Sequence, residues 1–197
     1  MAFIDRDLRP FRQYSEHDVV NLYSLEARAT ESLPVNKGTI VSLVAGKGWE
    51  SSDELVQGAI HAKAATYNNT QNPRFMVQSK VYVHTGLATD HTLGLLLHDV
   101  RDEDENGELL IYNPRKAAEM QASVSGQVVP IAKKGVFLYD GFVGTADAGT
   151  PVYIATNGRM GDAASSAGGQ NVRVGTCLGA ADADGNVLID FNPTAML

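Results

Sequence analysis

The chain has 197 residues, 44% hydrophobic and 20% charged, which suits a packed core and argues against wholesale disorder. Lys and Arg total 16 against 23 Asp and Glu, and the net charge of −7 disfavours binding along a nucleic-acid backbone. A single cysteine, Cys177, rules out an internal disulfide and a multi-cysteine metal site, and no apolar run reaches the roughly 18 residues that span a bilayer.

The first 30 residues read as an N-terminal arm without the apolar stretch of a secretory signal, so the expected place of folding is the cytoplasm. Within the arm, Arg6, Arg9 and Arg12 recur at three-residue spacing, with Phe3, Phe11 and Tyr14 between them. Arginines among aromatics are the composition of an interface, so these six residues are the candidate partner-binding set. The same residues also read as an extra strand on, or a frayed end of, the chain's own domain.

Residues 15–29 carry Val19, Val20, Leu22, Tyr23 and Leu25 in loose helical spacing, and a helix is expected there. Short apolar runs bounded by Gly, Asn, Asp and Pro then predict strands over 39–44, 75–83, 92–100, 108–112, 135–139, 151–155, 171–178 and 186–191. A second helix is expected over 51–67, behind serines and Asp53 that suit an N-cap. Pro114 suits the first position of a short helical turn over 115–120.

Five blocks occur twice in the same order. Leu33-Pro-Val-Asn-Lys-Gly-Thr-Ile matches Val129-Pro-Ile-Ala-Lys-Lys-Gly-Val, and Val81-Tyr-Val matches Val152-Tyr-Ile. Leu93-Gly-Leu-Leu-Leu matches Val174-Gly-Thr-Cys-Leu, and an acidic turn follows each, 102–107 and 182–186. Each half closes on an aromatic-Asn-Pro triplet, Tyr112-Asn113-Pro114 and Phe191-Asn192-Pro193. Any β-rich chain repeats strand and turn, but five ordered blocks favour a duplicated unit. The glycine of each Leu/Val-Gly strand marks a bend or the close approach of a neighbour. The expected fold class is mainly β: two related small barrel or sandwich units in tandem, with an N-terminal arm and a short helical insertion in the first unit. The expected division is arm 1–30, first unit 31–114 with insertion 46–74, linker 115–126 and second unit 127–197.

The order Val-Pro-x-x-x-Lys-Gly, Gly-Thr-Pro-Val-Tyr-Ile, Val-Gly-x-x-Leu and Asp-Gly-Asn-Val-Leu-Ile-Asp-Phe, across 127–192, resembles the capsid decoration (cement) proteins of tailed bacteriophages. The first half looks like a diverged copy of the same unit. The resemblance implies a compact β fold, often trimeric, that sits on the outer surface of the phage head and bridges subunits of the major capsid protein. It further implies self-association and a virion location, with no role for nucleic acid or membrane. This chain departs from the family in its doubled length and its arm. The alternative reading is a carbohydrate- or cell-surface-binding β module, a head fibre or tail accessory.

No catalytic set is marked out, and neither an enzymatic activity, a cofactor nor a metal is expected. The histidines His17, His61, His84, His91 and His98 form no metal-binding spacing, and a lone strand histidine such as His84 or His98 is usually packed or hydrogen-bonded. No nucleophile elbow or phosphate-binding glycine loop occurs. The run Asp102-Glu-Asp104-Glu-Asn106-Gly107 matches the first six positions of a calcium loop, yet the twelfth is Asn113 where a glutamate is needed. Its better reading is a solvated hairpin tip, and 182–186 reads the same way. Cys177, on an apolar run, is expected as a small core residue.

Overall fold

The computed structural model describes residues 8–10, 18–25, 33–43, 80–87, 90–166 and 172–193. The protein is mainly β, its strands curled into two six-stranded sheets. The first sheet is built from β2 (Val19–Val20), β3 (Ser24–Leu25), β4 (Ile40–Leu43), β5 (Lys80–Val83), β6 (His91–Leu96) and β9 (Ile131–Ala132). Its order is β2-β9-β6-β4-β5-β3. The second uses β1 (Leu8–Pro10), β10 (Gly135–Asp140), β11 (Pro151–Ile154), β12 (Met160–Gly161), β13 (Arg173–Cys177) and β14 (Asn186–Phe191), in the order β1-β10-β14-β13-β11-β12. Between them, β7 (Asp99–Val100) pairs in parallel with β8 (Ala122–Ser123), beside helix α1 (Pro114–Glu119). The stretch 115–126 carries α1 and β8.

Alternation along the strands decides how the sheets pack. In the first sheet, Ile40, Leu95 and Ala132 project from one face into a core shared with Phe137, Tyr139, Ile154, Ile189 and Phe191 of the second. Val41, Val81, Val83, Leu96 and Ile131 form another cluster with Leu25, Val35, Val100 and Val129. The first sheet is therefore buried on both sides, which accounts for the near-continuous apolar runs in β4 and β6. Each large core side chain contributes about 1.5–3 kcal/mol by leaving water.

The close approach expected at the strand glycines is present. A Cβ on Gly94 would overlap the Ala132 carbonyl, and one on Gly175 the Asp190 carbonyl. Two sequence expectations are corrected. Residues 108–112 do not close the first half as a strand, because 110–112 coils into a 3-10 turn that buries Leu110 with Ala117, Ala122 and Val124. With no counterpart of β14 between them, β4 and β6 pair directly, whereas β14 separates β10 from β13.

The helix expected over 15–29 is replaced, where described, by β2 and β3, since pairing with 128–133 wins over the weak helical preference of Val19 and Val20. Residues 18–25 run antiparallel to 128–133: Lys133 N donates to Asp18 O at 2.7 Å and Val129 N to Tyr23 O at 2.9 Å. Further along, β1 pairs with β10, Leu8 opposite Tyr139 and Pro10 opposite Phe137. Both described pieces of the N-terminal segment, 8–10 and 18–25, thus lie against the stretch 128–139. The insertion 46–74 and the helix expected over 51–67 lie outside the described residues.

Candidate functional site

The two acidic turns are one structure built twice. In the first, Asp104 N donates to Glu108 O at 2.9 Å and Gly107 N to Asp104 O at 3.2 Å. Asp104 Oδ1 accepts from the amides of Asn106 at 2.7 Å and Glu108 at 2.8 Å. In the second, Asp182 N donates to Asn186 O at 3.0 Å and Gly185 N to Asp182 O at 3.1 Å. Asp182 Oδ1 accepts from Asp184 N at 3.0 Å and Asn186 N at 2.8 Å. Gly107 and Gly185 sit at φ of 80° and 88°, a conformation that a side chain disfavours, which is why glycine stands fourth in each. The four hydrogen bonds match one for one, so the sequence repeat is also a repeat of local geometry.

In both turns the leading carboxylate is tied up by the chain itself. Asp104 Oδ2 accepts from the Lys116 ammonium of α1, and that bond, with the Glu108 amide next, holds its pKa down to about 2. Asp182 Oδ2 accepts from the Asn186 side-chain amide at 3.0 Å, and that contact leads in lowering its pKa. Asp162 is lowered likewise, chiefly by the Thr145 amide, which donates to it at 2.9 Å. No group of three or more His, Cys, Asp or Glu among the described residues is placed to hold a metal ion. No helix there is long and apolar enough to cross a membrane.

His84, immediately after β5, is fully buried and bonded through both ring nitrogens. The Gly86 amide donates to Nδ1 at 2.8 Å, so the proton sits on Nε2, which faces the Asp90 carbonyl at 3.2 Å. Asp90 in turn accepts from the Thr85 hydroxyl at 2.6 Å, closing the β5–β6 connection. His98 lies half-buried between β6 and β7, and burial lowers its pKa below 6.5, with Asp99 opposing and Lys37 assisting. His91 is exposed, and His17 and His61 lie outside the described residues. Cys177 is buried in the shared core, where burial, reinforced by Asp147, pushes its pKa up.

Of the candidate partner-binding residues, Arg9 lies on edge strand β1, opposite Leu138. Phe3, Arg6, Phe11, Arg12 and Tyr14 lie outside the described residues. Residues 8–10 form a strand of the second sheet.

Sequence reasoning missed the outer face of the second sheet. Phe137, Tyr139, Val187 and Ile189 point into the core, so Leu138 and Leu188 point away from it, and the register sets them directly opposite one another. Leu178 extends the row, its amide donating to Leu188 O at 2.8 Å and its residue surface 49% exposed. Three leucines thus line up across neighbouring strands on a partly exposed face. The alternation of Asn186-Val-Leu-Ile-Asp-Phe carried that signal, because Leu188 falls on the opposite parity from Val187 and Ile189.

No protein-family model matches the chain, and no curated protein matches it.

Proposed function

We propose that the protein is a structural virion component: it binds the outer surface of an assembled phage head and stabilises it by bridging coat-protein subunits. The observation that carries this reading is the row Leu138, Leu188 and Leu178. Aligned leucines on an outer sheet face form an apolar patch of the kind that marks a protein contact. The patch lies on the second sheet, five of whose six strands come from the segment 127–192, whose motifs resemble the decoration proteins. The doubly buried first sheet supports that sheet from beneath, giving a body that presents its contact face with little ordering left to pay for.

The mechanism is mass action. A molecule that binds the expanded lattice and not free coat monomers stabilises the lattice through that difference in affinity. Self-association, in the family's trimeric manner, places several contact faces on one complex and multiplies its hold.

Cosedimentation with expanded heads tests the reading. The intact chain should pellet with heads and stay in solution with coat monomers. Leu178→Arg, at a side chain already open to water, should fold normally and lose attachment. Equal binding to monomers and heads, or undiminished attachment of Leu178→Arg together with Leu188→Arg, overturns it.

A further inference from the structure

We propose that the concave face beside Tyr112 binds a neutral oligosaccharide, with the tyrosine ring as the platform on which one sugar ring stacks. The two halves single this residue out. Phe191, which leads the second aromatic-Asn-Pro triplet, is fully buried in the shared core. Tyr112, which leads the first, is 78% exposed, and the aromatic there carries a hydroxyl. Burying such a ring is favourable, and the first half forgoes that gain.

The exposed ring stands on ordered backbone. Tyr112 N donates to Leu109 O at 3.2 Å and Asn113 N to Leu110 O at 2.9 Å, and Pro114 then opens α1. Beside it lies an open hollow of about 610 Å³, lined by Glu108, Asn113, Arg115 and Glu119 along with Pro114 and Lys116. Planar amide, carboxylate and guanidinium groups around one aromatic face are the chemistry that engages ring hydroxyls while the aromatic covers the apolar side of the sugar. A polypeptide partner would call for further apolar lining, and here only Pro114 accompanies the tyrosine.

Charge narrows the ligand. Glu119 already engages Arg115 at 3.1 Å, and Lys116 is held by Asp104. Each cation thus has a carboxylate beside it, the Arg115–Glu119 pair being open to water, and Glu108 adds negative charge, so the face carries no net positive charge to attract phosphate, sulfate or acidic sugars. This inference stands apart from the capsid reading and does not require it.

The test is an NMR titration of the isotope-labelled full chain with cellohexaose, maltohexaose and chitohexaose, and with sialyllactose as the acidic control. The expected result is amide shifts around Tyr112, Asn113 and Arg115 with at least one neutral oligosaccharide and none with sialyllactose. Tyr112→Ala should weaken that binding by about tenfold or more, while Tyr112→Phe, which keeps the stacking face, should stay within about twofold. An unchanged spectrum elsewhere in the variant checks that it folds. No shift with any of the three, equal shifts with sialyllactose, or undiminished binding by Tyr112→Ala overturns the proposal. So does loss of head attachment in Tyr112→Ala without sugar binding by the intact protein, which would assign the face to a polypeptide.

Discussion

Asp104 and Asp182 hold the same turn in the two halves, and Asp104 is also clasped by Lys116 from the helix that follows its triplet. The position that counts as Lys116 in the second half is Ala195, and Asp182 meets the amide of its own Asn186 instead. One turn is tied to a helix; the other closes on itself.

That clasp has a pH signature. The folded pKa of Asp104, about 2, is below the ordinary 3.8, so the stabilisation is complete above 3.8 and is lost as pH falls toward 2. A carboxyl NMR titration should place the Asp104 midpoint near the bottom of that window. Lys116→Met should move it upward and loosen α1 while leaving the Asp182 turn unchanged.

The strand glycines give a steric prediction. Gly94→Ala sets a methyl group against the Ala132 carbonyl and the Ile131 side chain, where β6 meets β9. Overpacking of this kind costs about 1–3 kcal/mol, and urea unfolding should report it. Gly107→Ala, where the new Cβ meets open space, should cost less, its penalty coming from the turn's positive φ.

Cys177 should be silent in the native state. Burial raises its pKa and the core covers it, so a thiol reagent at neutral pH should label it only at the rate of unfolding. Labelling in step with denaturation, followed by mass spectrometry, checks this.

His84→Ala should destabilise the β5–β6 connection by about 1–3 kcal/mol, because the Gly86 amide loses its acceptor inside the protein. Faster amide exchange at Gly86 should accompany the loss and locate it.

The legible parts of this fold were those with a local signature. Strands β10, β11 and β14 follow the apolar runs closely, since Phe137, Ile154 and Ile189 alternate with outward residues over a buried face. The likeness of the acidic turns could be read from the glycine that stands third after each leading aspartate. Helical spacing over 15–29 misled, because β2 and β3 take their shape from partners distant in sequence, β9 for the one and β5 with Val128 for the other. The coil at Leu110–Tyr112 was hidden for a related reason: burial of Leu110 against α1 decided it, and a five-residue apolar run carries no trace of that choice. In the site, Leu188 was readable from parity, whereas the exposure of Tyr112 needed the fold.

The pairing of 8–10 and 18–25 with 128–139 imposes an order on biosynthesis. The opening residues leave the ribosome long before their partner strand exists, so the nascent chain must carry them unmatched until most of the protein has been made. A product truncated after the first half would lack β9, the strand that joins β2 to β6 in the first sheet. Quality control in the producing cell would meet such a fragment as an open sheet with bare edges.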